Sequence, residues 1–204
     1  MRNIRVWLMG LWLVVLCAFL PTTDVRAADG GFGSSLSVCT PPVQSVSLSD
    51  PTVITACTQA GIQAALDVGG HIAFDCGSQP VTIPIASQLT LNPTVDTILD
   101  GGGLITLDGQ HQTRILHKGW HDPDLGSVTV TVQNLRLING QAPSADDTGD
   151  HSGGAIVVGH PGTRLHVINC AFEDNRTTNT ATPDNQGGAI FVHNAYETVI
   201  SGSV

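Results

Sequence analysis

Apolar positions along this chain change their spacing twice. From Val6 to Leu20 they form a nearly unbroken run, from Thr58 to Gly69 they recur at helical spacing, and from Gly70 onward they alternate in short runs broken by turn residues. The helical stretch sets Ile62, Ala65 and Leu66 on one face, with Thr58 as its N-cap and Gly69-Gly70 as its stop. Placed just ahead of a run of strands, such a helix covers the open end of a stacked core that would otherwise expose apolar side chains and unpaired backbone. Strand-like runs occupy 71–75, 81–83, 88–91, 97–99, 104–107, 113–116, 128–132 and 135–137. Asp100-Gly-Gly-Gly103, Asp108-Gly109, Asn139-Gly140 and Pro161-Gly162 punctuate them.

Two stretches repeat one pattern. Residues 130–140 are followed by Gly153-Gly-Ala-Ile156, and residues 165–175 by Gly187-Gly-Ala-Ile190. The offset is 35 residues from Val130 to Leu165 and 34 from Gly153 to Gly187. A period in this range points to stacked units that bury apolar faces only against their neighbours. No long helical pattern separates the strands, which excludes a doubly wound sheet, and aromatics are few. The pattern predicts an all-β fold, a right-handed parallel β-helix (solenoid) with a short N-terminal capping helix. Equivalent residues would stack about 4.8 Å apart: Asn134 on Asn169 as a hydrogen-bonded ladder, Leu137 on Phe172, and Ile156 on Ile190. A third coil begins at Thr198, with Gly202 near the ladder position, and its stop in mid-strand reads as a truncated chain.

The domain reading is 1–27 as a signal peptide, 28–54 as a flexible lead-in, 55–70 as the capping helix and 71–204 as the β-helix. Arg2 and Arg5 precede the first apolar run, and Val25-Arg26-Ala27 offers a small-residue cleavage site. That run is 15 residues long, short of the roughly 18–20 that a spanning helix needs. The reading is export to the extracellular space or outer cell surface, with no membrane span in the mature chain. Cleavage after Ala27 leaves five basic residues against sixteen acidic ones, a net charge of −11. So acidic a chain repels nucleic acid and anionic lipid. The mature chain holds Cys39, Cys57, Cys76 and Cys170, an even count suited to an oxidising compartment. Of the three pairings, Cys57–Cys76 is preferred because it would tie the helix to the first strand, with Cys170 a buried thiol on an inward strand position.

The twice-repeated Gly-Gly-Ala-Ile, with Phe172-Glu-Asp-Asn175 as a Phe-x-x-Asn unit, resembles the repeat of the polymorphic outer-membrane protein family. More broadly, the region from Gly70 onward resembles the pectin-lyase-like β-helix superfamily of secreted bacterial proteins. The resemblance covers about two-thirds of the chain. It implies a secreted or surface-exposed β-helix, in one branch an adhesin passenger followed by an outer-membrane barrel. In another branch, polysaccharide lyases, it implies calcium-binding carboxylates on one sheet and an arginine base.

Candidate chemistry concentrates in two insertions at the same point of the repeat, which should emerge on one face. Residues 141–152 carry Asp146, Asp147 and Asp150, and residues 177–186 carry Asp184. Several carboxylates on a loop supply hard oxygen ligands, so calcium or another ligand is a reading for Asp146, Asp147, Asp150 and Asp184; turn-forming Asp in a solvated loop is the plainer one. Arg136 and Arg164 lie in or beside strands and project outward as a base or a sugar-carboxylate clamp if carboxylates flank them; otherwise they are solvent charges. His117, His121, Asp122 and Asp124, with His111 upstream, have transition-metal ligand types, but no rigid helix holds the imidazoles. Asn175-Arg-Thr177 is formally a glycosylation acceptor, although its Asn belongs to the repeat. No catalytic residue is assigned and no cofactor is required. The expected role is a scaffold for adhesion or for glycan or surface binding, a monomer or part of a longer repeat array. The alternative is a polysaccharide lyase or hydrolase of pectin-lyase type.

Overall fold

The computed structural model describes residues 44–118, 127–142, 152–159, 161–177 and 187–204. The segment read as an export signal and Cys39 lie outside them. Strand β1 (Thr52–Ile54) leads into helix α1 (Gln59–Val68), and β2 (Gly70–Phe74) follows. β3 (Val81–Pro84) and β4 (Leu89–Thr90) precede a long β5 (Thr97–Asp108). The chain then runs through β6 (Leu116–Lys118), β7 (Thr129–Ile138), β8 (Ile156–Val158), β9 (Arg164–Ile168), β10 (Ala171–Glu173), β11 (Ile190–Val192) and β12 (Glu197–Ser201). The protein is thus mostly β, with parallel sheets and one helix among the described residues. The first sheet runs β1-β2-β5-β7-β9-β12, with β3 also on β5 and β10 also on β7; the second runs β11-β8-β6-β4. From β5 onward the chain moves back and forth between the sheets, with β9 and β10 consecutive in the first, so that β5 and β7, β7 and β9, and β9 and β12 are each separated by a strand of the second.

Register stacks like on like. Thr97, Val130, Leu165 and Thr198 lie side by side in the first sheet, and Leu89, Leu116, Ile156 and Ile190 in the second. Phe172 sits on Leu137, and Leu137 on Leu107. Strand alternation turns these rows toward a shared interior. There Leu99, Leu107, Val130, Val132, Leu137, Ile156, Leu165 and Val167 are completely buried. Burying an aliphatic side chain of this size contributes about 1.5–3 kcal/mol, so a pass that slipped by one residue would lose several such terms together.

Corners inside the first sheet rest on residues that accept a left-handed backbone. Asn134 (φ 53°) and Asn169 (φ 53°) each turn the chain in a single step. Asn134 donates through Nδ2 to Asp100 Oδ1 at 2.8 Å, and Asn169 Nδ2 reaches Asn134 Oδ1 at 3.4 Å. In β5 the same corner takes Gly101 to Leu104, and the pairing with β7 shifts register between Asp100 and Ile105. Gly101 has no room for a side chain, because a Cβ there would meet Leu135 and the Asn134 carbonyl.

Helix α1 closes one edge. Thr58 accepts from Gly61 N at 3.2 Å, and Gly69 (φ 75°) ends the helix with its N–H on Ala65 O at 3.0 Å. Ile62, Ala65 and Leu66 join the core. The exposed face does a second job: Gln63 accepts from Thr90 N at 2.9 Å and donates to Thr90 O at 3.0 Å. Gln59 treats Ala86 N and Ser87 O the same way, at 2.8 and 3.0 Å. Two carboxamides therefore stand in for the strand missing beside β4. Cys57 and Cys76 are disulfide-bonded with Cα atoms 5.9 Å apart, and closing a loop of this length contributes about 3 kcal/mol. Cys170 is a buried thiol whose Sγ donates to Val132 O at 3.4 Å; burial pushes its pKa up to about 11.

Three element boundaries differ from the pattern reading. The lead-in assigned to 28–54 ends in a strand, since β1 pairs with β2 and buries Ile54; a Pro-flanked three-residue strand carries too little alternation to stand out. The runs 97–99 and 104–107, and likewise 128–132 and 135–137, are single strands bent at a corner, because Asp100 and Asn134 keep the ladder going through the turn. The run 113–116 pairs in the second sheet only from Leu116. Left-handed Gln110 (φ 54°) and His111 (φ 55°) lengthen the preceding turn, and Thr113 O and Ile115 O accept from Gln141 N and Leu89 N instead.

Replacing Asn134 separates the two demands on this corner. Asn134→Ala should lower unfolding stability by about 2–3 kcal/mol, and Asn134→Gly by about 1 kcal/mol less, since both lose the amide but only Ala strains the left-handed backbone. Urea denaturation of the two variants measures the difference; equal losses would show that the backbone angle contributes nothing.

Candidate functional site

The second sheet turns Leu89, Leu116, Ile156 and Ile190 inward, so the alternate row Thr90, His117, Val157 and Phe191 lies on its outer face. Phe191 and His193 stack there with ring centroids 6.2 Å apart. His117 and Val157 are buried even on this outer row.

The two insertions leave the fold immediately upstream of β8 and β11, and their ends are stacked. On departure, Gln141 bridges Arg176 in parallel fashion, Ala142 N donates to Arg176 O at 3.0 Å, and Arg176 N donates to Gly140 O at 2.8 Å. The Arg176 guanidinium reaches back to Gln141 Oε1 through Nε at 3.1 Å and Nη2 at 2.9 Å. On return, Gly153 N donates to Gly187 O at 3.0 Å and Gly154 N to Gly188 O at 2.8 Å. Glycine is required at 154, since a Cβ would lie 2.6 Å from Arg176 N and 2.7 Å from Gly188 O. The attachment points of the two insertions are therefore stacked, one pair on the other.

Arg114 anchors the return of the first insertion from inside. It is fully buried, donating through Nη2 to Ser152 O at 2.8 Å, through Nε to Gly153 O at 3.0 Å and through Nη1 to Gln88 Oε1 at 3.2 Å. A planar guanidinium satisfies several fixed acceptors at once, and here two of them are the carbonyls where the first insertion rejoins the sheet. No motif distinguished Arg114 in the sequence; its only signal is a charge opening the apolar run Ile115-Leu116.

Asp146, Asp147, Asp150 and Asp184 lie outside the described residues, as do His121, Asp122 and Asp124. Among the described residues no group of three or more His, Cys, Asp or Glu is placed to hold a metal ion. His111 sits on an exposed turn with its N–H on Asn139 O at 2.7 Å. Arg136 is half-exposed and pairs with Glu173 at 2.6 Å. Arg164 lies 3.7 Å from Glu197 and stacks over the Tyr196 ring at 4.7 Å. Both arginines belong to the first sheet. Asn175 has a structural role: its Oδ1 accepts from Gly140 N and its Nδ2 donates to Leu137 O, both at 2.8 Å.

Lys118 is the unexpected charge. It shares register with Val158 on the inward row of the second sheet, is 1% exposed, and donates from Nζ to Asn92 O at 2.9 Å. Burial lowers its pKa from 10.5 to about 8. Among the described residues no helix is long and apolar enough to cross a membrane. Comparison with family models, with curated proteins and with solved structures finds no match.

Lys118→Met should stabilise the protein at neutral pH by about 1–2 kcal/mol, because an apolar side chain of similar length has no charge to desolvate. The advantage should shrink with rising pH. Between about 8 and 10.5 the folded chain has released a proton that the unfolded chain still holds, so native stability climbs through that window. Denaturation of both proteins at pH 7 and pH 10 tests this; a gap independent of pH would mean that the ammonium is not penalised.

Proposed function

We propose that this chain is an exported right-handed parallel β-helix whose two insertions bind a glycan or another cell-surface component. The helical-solenoid reading is supported by parallel partners recurring at offsets of 33 to 35 residues, from Thr97 to Val130 to Leu165, and by a chain path that moves back and forth between two sheets. The resemblance to polymorphic outer-membrane repeats and to the pectin-lyase-like superfamily belongs to the same proposal, resting on Gly-Gly-Ala-Ile and on the Phe172 and Asn175 positions. Export rests on the N-terminal charge and apolar pattern and on the disulfide, which suits an oxidising compartment.

One observation carries the binding role: both insertions start and finish in register, at Gln141 with Arg176 and at Gly153 with Gly187. The buried Arg114 holds the point where the first insertion rejoins the sheet, so two polar insertions spring from neighbouring positions. Insertions held on repeated scaffolds are where recognition concentrates. The reading needs no cofactor. Asp146, Asp147, Asp150 and Asp184 are its candidate calcium or ligand groups.

The test presents the mature chain to a panel of neutral and acidic polysaccharides, with calcium and with chelator, reading both binding and unsaturated product in the ultraviolet. Expected is saturable binding to at least one glycan with no product. Exchanging residues 143–150 and 178–185 for Gly-Ser linkers of equal length should weaken that binding by at least about tenfold and leave the melting temperature unchanged. Binding indifferent to the exchange would remove the insertions from the interface. Calcium-dependent product release would replace the scaffold reading with a polysaccharide lyase.

A further inference from the structure

The outer face of the first sheet holds a piece of this chain from ahead of β1. Residues 44–49 cross it, held by side chains from strands remote in sequence. Gln133, fully buried, accepts from Val46 N through Oε1 at 2.8 Å and donates from Nε2 to Val46 O at 2.9 Å. Gln133 is itself positioned by a 2.7 Å bond from Nε2 to Asp100 Oδ2. The Ser45 hydroxyl sits between two ladder asparagines, donating to Asn134 Oδ1 at 3.1 Å and accepting from Asn169 Nδ2 at 3.0 Å. Four residues further on, Ser49 N donates to His71 Nδ1 at 2.9 Å.

These contacts read main chain, not side-chain shape. A carboxamide that both accepts from and donates to one residue reproduces the hydrogen bonds of a neighbouring strand, the same device by which Gln63 holds Thr90. Val46 itself is 39% exposed. Beside it a cavity of about 220 Å³ opens, lined by His71, Asp96, Ile98, Thr129 and Thr131. The segment is thus held by side-chain hydrogen bonds, and most of its residues are exposed. Segments held in this way open at low free-energy cost.

We propose that the outer face of the first sheet is a binding groove for an extended polypeptide, specific for a free main-chain N–H and C=O following a serine, and that residues 44–49 are its built-in occupant. The partner class is an extended segment of the pattern Ser-x, taken in place of the chain's own. Tethering gives the internal segment a high effective concentration, so an external peptide binds well only when the internal one is weakened.

The test uses the full chain and a fluorescent synthetic peptide spanning residues 44–50. Val46→Pro in the protein removes the internal N–H while keeping an extended backbone; circular dichroism verifies the fold. Expected is saturable binding of the peptide to the Val46→Pro chain, at least about tenfold tighter than to the native chain. Binding should be lost when the peptide is N-methylated at the residue corresponding to Val46, and lost again when Gln133→Ala is added to the protein. Replacing that peptide residue by Ala should leave affinity unchanged within about twofold. Absence of saturable binding to the folded Val46→Pro chain would overturn the proposal, and so would equal affinity of the N-methylated peptide.

Discussion

Each pass of this chain must return beside the previous one in register, because parallel strands satisfy their main-chain groups only against an aligned neighbour. Most of what the sequence does can be traced to that demand. Passes of 33 to 35 residues keep Thr97, Val130 and Leu165 together. Equal passes in turn need corners of fixed size. Asn134 and Asn169 provide them by tolerating a left-handed backbone that costs most other residues about 1–2 kcal/mol. Their amides recover part of that cost by bonding from pass to pass, starting at the Asp100 carboxylate. Asn175 does equivalent work at a second corner, holding Gly140 N and Leu137 O in adjacent turns.

A parallel stack also has edges, and one is closed without a strand. Gln59 and Gln63 of α1 present carboxamides to the main chain of 86–90, while the opposite face of the helix buries Ile62 and Leu66. Gln133 repeats the device on a sheet face, where the segment that it holds is more exposed. The physical difference lies in what supports the contact. Beneath α1 is apolar core, which must be exposed before the hydrogen bonds can break; Val46 takes no part in that core, and most of its segment is exposed.

Charges inside the stack divide by the same criterion. Arg114 meets two carbonyls and a carboxamide oxygen, so its guanidinium is well satisfied and fixes the point where the first insertion rejoins the sheet. Among the described residues Lys118 meets one carbonyl, and burial lowers its pKa. The chemistry-bearing arginines expected from the sequence, Arg136 and Arg164, are surface groups that pair with Glu173 and Glu197. An exposed pair of this kind contributes roughly 0–1 kcal/mol. The proposed role therefore rests on the insertions rather than on any outward-facing cation.

Local pattern alone determined the helix with its Thr58 and Gly69 ends, the strand-rich remainder, and the stacking of Leu137 on Phe172 and of Ile156 on Ile190; it favoured Cys57–Cys76 among three pairings, which the structure forms. These features follow from side-chain period, capping chemistry and repeat spacing, all of which are properties of neighbouring residues or of one recurring distance. The tertiary structure decided the rest. β1 exists because β2 offers it an edge, and the bent strands β5 and β7 are continuous because a carboxylate and an asparagine bridge their corners. Arg114, Lys118 and Gln133 are ordinary polar residues in the sequence. They acquire their roles only when partners 26 to 87 residues away arrive beside them, a distance over which no local period carries information.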